Sequence, residues 1–344
     1  MSASNQREGG VANAEVVRLG LEGVVVAETQ LSRIDGEAGR LVLRGRSLAE
    51  LAGRVPFEEA VGLLWGCPVA GLREELGRAR AAAFAGAGRL GDALARAEGM
   101  DALRAALGHG LGEGEPAPVE ILGACAVYAA AWWRGQQGLE PVAPDPALGH
   151  AADLLRMIRG EAASAEEARA LDAYLVTVID HGLNASTFTA RVVASTRSDR
   201  VSAVVAALGA LKGPLHGGAP GPVLDMLDAV AARAAGGEPE PAAEAWLREE
   251  LAAGRRVMGM GHRVYRVRDP RAAALEGAAR AEAARVVARV AAATVAAAME
   301  AAATAMAAEA AAMEAAASVE EATATEAEAA VAAKEMGVAA KERA

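Results

Sequence analysis

SLAELAGRVPFEEAVGLLW, residues 47–65, is the stretch on which the fold class turns. Ser47 stands where a helix N-cap belongs, and Glu50 at N3 completes a capping box around it. Pro56-Phe57-Glu58-Glu59 opens a second helix, with Val61, Leu63, Leu64 and Trp65 on its apolar side. Toward the C-terminus the same spacing predicts helices over 70–94, 100–109, 118–137, 146–159, 164–180, 184–196, 200–211 and 222–235. Gly and Pro separate them, as at Gly112-Glu113-Gly114 and Pro141–Pro146. Toward the N-terminus, LEGVVVAET (Leu21–Thr29) and GRLVLR (Gly39–Arg44) predict one hairpin whose loop holds Asp35-Gly36. No alternating run follows residue 45, and no fixed-period repeat is present. The class is all-α with a minor N-terminal β-hairpin.

Composition narrows the function. Hydrophobic residues make up 53% of the 344 positions and aromatics only 3%, the apolar part being mainly Ala, Val and Leu. Such residues suit closely packed helices better than strands. The net charge is −10 and nothing in the sequence resembles a basic nucleic-acid stripe, so a phosphate-bearing ligand needs local Arg clusters. Cys67 and Cys125 have no motif spacing and read as small buried hydrophobes in a reducing compartment. Met1–Glu15 lacks the apolar stretch of a signal peptide, and Glu300, Glu309 and Glu314 interrupt the nearest approach to a membrane span. The expectation is a soluble cytoplasmic protein that uses neither membrane nor nucleic acid.

After Pro270 the composition shifts. Arg271–Ala344 has no Pro and no aromatic residue, and is largely Ala with scattered Glu. It is a strong helix former by propensity. Met299, Met306 and Met313 recur every seven residues, which is either a faint heptad seam or a low-complexity helix with a thin apolar face.

Three of the five histidines sit beside residues that force an unusual backbone. His216 lies in Gly213-Pro214-Leu215-His216-Gly217-Gly218, an interhelical loop that exposes an imidazole to a ligand. The plainer reading is a turn that contains a histidine. His262 lies in Met258-Gly259-Met260-Gly261-His262-Arg263, with Arg255, Arg256, Arg266, Arg268 and Arg271 around it. That is the densest basic cluster in an acidic chain, and it suits an anionic substrate beside a phosphate-bearing cofactor. His181 lies in Asp180-His181-Gly182-Leu183-Asn184-Ala185-Ser186, where Asn184 and Ser186 are helix-start residues or partners of an imidazole. His109 and His150 sit among ordinary helical residues and read as structural. No HxxxH, HExxH or CxxC accompanies these sites, which argues against a metal.

DHGLNASTFTARVVAST, LGALKGPLHGGAP and RVMGMGHRVYRVRDPRA together resemble the core motifs of citrate synthases and 2-methylcitrate synthases. The motif-level resemblance spans roughly residues 18–275. It implies a large helical domain over 18–215 and part of a smaller one over 216–290 with the catalytic loops. A disordered N-terminus (1–17) and an Ala/Glu-rich helical tail (291–344) flank them. It further implies condensation of acetyl-CoA, or propionyl-CoA, with oxaloacetate, the coenzyme A thioester being a cosubstrate and no cofactor being permanently bound. His216 matches the group that donates to the enolate oxygen, and His262 the one that polarises the ketone and protonates the alkoxide. His181 and Arg271 match groups that hold the dicarboxylate. Arg266 matches a coenzyme A phosphate contact, and the backbone of Met258, Gly259, Met260 and Gly261 the segment against adenine. Asn184 and Ser186 match partners of the two catalytic histidines. The family's homodimer is expected too, with Ala-rich 124–132 and 203–210 letting helices approach closely.

The resemblance stops short in one respect. The family carries, beyond its DPR turn, an Asp in an NVDF-like motif that removes the methyl proton, and two more substrate-binding Arg. The 73 residues after Arg271 contain no Asp, and Arg280, Arg285, Arg289 and Arg343 stand in no matching context. The expectation is therefore an acyl-condensing enzyme with impaired turnover. The alternatives are a 2-methylcitrate synthase or a homologue that binds oxaloacetate or coenzyme A without turnover.

Overall fold

The computed structural model describes residues 27–111, 114–214, 216–217, 220–257 and 264–278. Within them lie one small antiparallel sheet and twelve α-helices. The 1–17 segment and the 291–344 tail lie outside the described residues.

The core is built on α5 (Pro118–Gln136), in which every residue from Ile121 to Trp132 is buried. A helix apolar on all sides must be surrounded. Here α3 (Leu72–Gly86), α4 (Gly99–Gly110) and α6 (His150–Arg159) do so. A Cβ at Gly123 would stand 2.8 Å from Ala79 Cβ and 2.9 Å from Arg80 N, so α3 and α5 meet where only glycine fits. This packing corrects the expectation that 124–132 serves association. The single chain already buries that stretch.

The shorter helices α1 (Leu48–Leu51) and α2 (Phe57–Trp65) begin where the capping reading puts them. Ser47 N donates to Glu50 Oε2 at 2.8 Å. The predicted 70–94 helix ends at Gly86, and short 3-10 turns at Ala87–Arg89 and Ala93–Ala95 follow it. Helix α7 (Ala165–Val178) opens on the Ser164–Glu167 capping box, and α8 (Ala185–Ser195) and α9 (Arg200–Leu211) pack as a pair. Helix α10 (Pro220–Ala234) packs on α11 (Pro239–Ala252), and α12 (Pro270–Ala278) packs on α7 and α1. Helix α11 escaped the periodicity reading because none of its residues is buried, so its apolar stripe is thin.

The hairpin also differs from expectation. Its strands are β1 (Ser32–Asp35) and β2 (Arg40–Leu43), joined by a two-residue β3 (Arg46–Ser47), and Ala27–Thr29 is not a strand. The rest of the predicted first strand, 21–26, lies outside the described residues. The turn sets the register: Gly39 takes φ +61° and Asp35 Oδ1 accepts from Ala38 N at 2.8 Å. These pair Asp35 with Arg40 and Ser32 with Leu43. Local turn chemistry thus fixes which residues pair across the hairpin.

Candidate active site

Helix α7 stops at Val178, and the chain turns through Ile179–Leu183 before Asn184 caps α8. Asn184 Oδ1 accepts from Thr187 N at 2.9 Å and from Thr187 Oγ1 at 3.0 Å. Gly182 enters the left-handed region at φ +72°, and Asp180 Oδ1 accepts from Gly182 N at 3.0 Å. Burial pushes the Asp180 carboxyl up from its ordinary value, partly offset by its contacts with Ser32 and Gly182 N. His181 therefore stands, partly exposed, on a tight turn four residues before α8 begins.

Helix α9 ends at Leu211 and the chain folds back at once. His216 N donates to Gly213 O at 2.9 Å, and Gly217 N to Leu211 O at 2.7 Å. A Cβ at residue 217 would lie 2.6 Å from Leu211 O, so the second residue of this turn must be glycine. The loop is held from below by Lys212, whose Nζ reaches Asp101 Oδ1 at 2.6 Å. It delivers the His216 ring to the first turn of α8, where Ser186 Oγ lies 3.1 Å from His216 Nε2. Ser186 is buried and also donates to Asn184 Oδ1 at 2.7 Å, so its hydroxyl bridges amide and imidazole. Burial lowers the His216 pKa and favours the neutral ring.

The third segment, 264–271, is held by the hairpin. Arg266 N donates to Gly36 O at 2.9 Å. A Cβ at Gly36 would fall 2.4 Å from Val264 O, and one at Gly39 would fall 2.6 Å from Val267 Cγ2. The turn is thus a glycine cradle for this strand of chain. Arg266 itself is exposed. Arg271 stands in the first turn of α12, and its guanidinium reaches Asp269 Oδ2 at 2.8 Å. Tyr265 is 4% exposed and places its hydroxyl 3.1 Å from His181 Nε2.

His216 thus meets the first turn of α8, His181 stands on the turn just before that helix, and Tyr265 ties the Arg271 segment to His181. Of the partners expected for two histidines, Ser186 reaches His216 while Asn184 acts on Ser186 and Thr187. His262, Met258, Gly259, Met260 and Gly261 lie outside the described residues. Tyr265 was not among the predicted site residues. The available signal was its rarity, one of three tyrosines in 344 residues, inside an Arg- and Gly-rich motif. His150 is fully buried and structural, its Nδ1 3.2 Å from Arg80 Nη1. Among the described residues no group of three or more His, Cys, Asp or Glu is placed to hold a metal, and no helix is long and apolar enough to cross a membrane.

The helical body described above, with imidazoles on two interhelical turns, is that of a transferase of the citrate synthase type. The chain belongs to the citrate synthase family: the family profile described as citrate synthase, C-terminal domain, matches residues 20–339. That match reaches past residue 275, where the motif-level resemblance ends. A citrate synthase of Haloferax volcanii is 38% identical over 78% of this chain and 74% of its own length. A 2-methylcitrate synthase of Mycobacterium tuberculosis is 35% identical over 76% of this chain and 69% of its own. The crystal structure of a Thermotoga maritima citrate synthase superposes with a TM-score of 0.66 at 28% identity, covering 86% of this chain and 90% of that one.

Proposed function

We propose that this protein condenses acetyl-CoA or propionyl-CoA with oxaloacetate, releasing coenzyme A and citrate or 2-methylcitrate. The single observation that carries this reading is the bridge from Asn184 through Ser186 to a half-buried His216 that burial keeps neutral. A thioester's α-proton is very weakly acidic, so the enolate needs a preorganised donor at its oxygen. A neutral imidazole gives such a hydrogen bond without surrendering its proton, and His216 takes this role with the single Ser186 proton turned from Asn184 Oδ1 to His216 Nε2, which leaves the ring's own N–H on Nδ1. The methyl proton passes to solvent water, the carbanion carbon attacks the ketone of oxaloacetate, His262 protonates the new alkoxide, and a second water cleaves the thioester to the carboxylate and the free thiol. His181 and Arg271 hold the dicarboxylate, Arg266 meets a coenzyme A phosphate, and the Met258–Gly261 backbone lies against the adenine. No cofactor is permanently bound. The reading includes a cytoplasmic homodimer and the division at residue 215 into larger and smaller helical domains.

Slow turnover belongs to the same reading. Residues 272–344 contain no Asp, so the family's proton-abstracting carboxylate has no counterpart by type within that stretch. Loss of a positioned base lowers rates by ~10²–10⁴. That observation also favours a second reading, in which the chain binds oxaloacetate or coenzyme A without turnover.

Thiol release from acetyl-CoA and from propionyl-CoA, each with oxaloacetate, tests the proposal beside calorimetry with each ligand alone. Oxaloacetate-dependent thiol release that disappears in His216→Ala supports condensation. Binding without release supports the second reading, and neither binding nor release overturns both.

A further inference from the structure

The contact between His181 and Tyr265 joins two loops 84 residues apart in sequence. Tyr265 Oη lies 3.1 Å from His181 Nε2, and the rings meet edge to face with centroids 5.6 Å apart at 65°. Tyr265 is buried, and its neighbours on both sides are fastened to the hairpin by Gly36 O and by the Gly36 and Gly39 cradle. The phenol is thus a fixed group rather than a swinging one.

We propose that Tyr265 is the positioning residue of His181, its hydroxyl donating to Nε2 and so holding the ring's own proton on Nδ1. This rests on the reading above, in which His181 binds a carboxylate of oxaloacetate. A phenol can donate or accept. Burial pushes Tyr265 up to about 12, outweighing the lowering by Arg271, so the hydroxyl keeps its proton to give. A neutral imidazole that accepts at one nitrogen must carry its N–H on the other. His181 then offers a carboxylate a donor, whereas the opposite tautomer would offer it a lone pair. The edge-on ring contact adds a second restraint by limiting rotation of the imidazole.

The test uses the full chain labelled with ¹⁵N at histidine and long-range ¹H–¹⁵N correlation at neutral pH. The His181 signals are those that disappear in His181→Gln. The expected result in the unsubstituted protein is a bare Nε2 and a protonated Nδ1, and in Tyr265→Phe a mixture of tautomers. In the same variant the KM or Kd for oxaloacetate should rise about 3- to 10-fold, the size of one hydrogen bond, with kcat nearly unchanged. A protonated Nε2 in the unsubstituted protein overturns the proposal whether or not the variant folds. An unchanged tautomer in a folded Tyr265→Phe overturns it as well. If oxaloacetate fails to bind the unsubstituted protein, the functional reading falls, while the ring spectrum still decides the role of Tyr265.

Discussion

Arg80 Nε meets Asp153 Oδ2 at 2.7 Å, with both side chains at 0% exposure. The other arms of the same guanidinium reach His150 Nδ1 and, at 2.9 Å, Leu148 O, so one charge ties α3 to the start of α6. Asp153 also takes Asp145 N at 2.9 Å and Arg156 Nη2 at 2.9 Å. Two charges removed from water need all of these partners, and removing one leaves the other stranded. Arg80→Met should destabilise the fold by about 3–5 kcal/mol in urea unfolding. The double change Arg80→Met with Asp153→Leu should cost less than the single one. A double variant that is the less stable of the two would contradict this account.

Asp172 on α7 gives stability an unusual pH dependence. Its Oδ1 accepts from Phe57 N at 3.0 Å, at the start of α2. Burial lifts its carboxyl to about 7, with Glu58 adding to the rise and the Phe57 N–H and Arg73 opposing it. The unfolded chain ionises near the ordinary 3.8, so between about 4 and 7 the folded protein binds the extra proton. Stability from this group must therefore fall as pH rises through that window, by at most about 1.4 kcal/mol per unit. Asp172→Asn keeps the acceptor for Phe57 and should flatten the curve. Chemical unfolding of both proteins at pH 5, 6, 7 and 8 checks this through their difference, which removes the contributions of Asp180 and His150.

Ser186 should matter to turnover more than to folding. Its hydroxyl bridges Asn184 Oδ1 and His216 Nε2. Ser186→Ala should lower kcat for thiol release about 3- to 10-fold and leave the melting temperature within a few degrees. A fall confined to the oxaloacetate KM would place the residue in substrate binding instead.

The hairpin cradle predicts a glycine that cannot be replaced. At Gly36 a Cβ would meet Val264 O at 2.4 Å, whereas at Gly88 nothing lies within 4 Å. Gly36→Ala should destabilise by about 1–3 kcal/mol, because a backbone carbonyl must move. Gly88→Ala should be neutral or slightly stabilising. Equal effects at the two positions, measured by thermal unfolding, would show that the cradle has room to give.

Much of this was legible along the chain. The capping box at Ser47 and the helical spacing from residue 164 are local signals, so the starts of α1 and α7 follow from a few consecutive residues. The loops of His181 and His216 were legible for the same reason, since Pro fixes φ while Gly and Asn enter turns that other residues avoid, wherever they stand. Helix α11 and strand β1 were not. Neither buries an apolar stripe with a clear period, and β1 is set by the turn that follows it. The fate of Ala124–Trp132 was not legible either, because an Ala-rich helix suits a core and an interface equally well.

By itself the sequence determined the helical class, the family and the turns at His181 and His216, because propensity, capping and glycine act within a few residues. Only the tertiary structure decided which groups meet. It brought Ser186 to His216 across 30 residues and Tyr265 to His181 across 84. It also made Gly36 the seat of Val264, a steric relation between segments more than 200 residues apart. Such pairings depend on how α8, α9 and the hairpin pack against one another, and packing is a property of surfaces that no single stretch of chain contains.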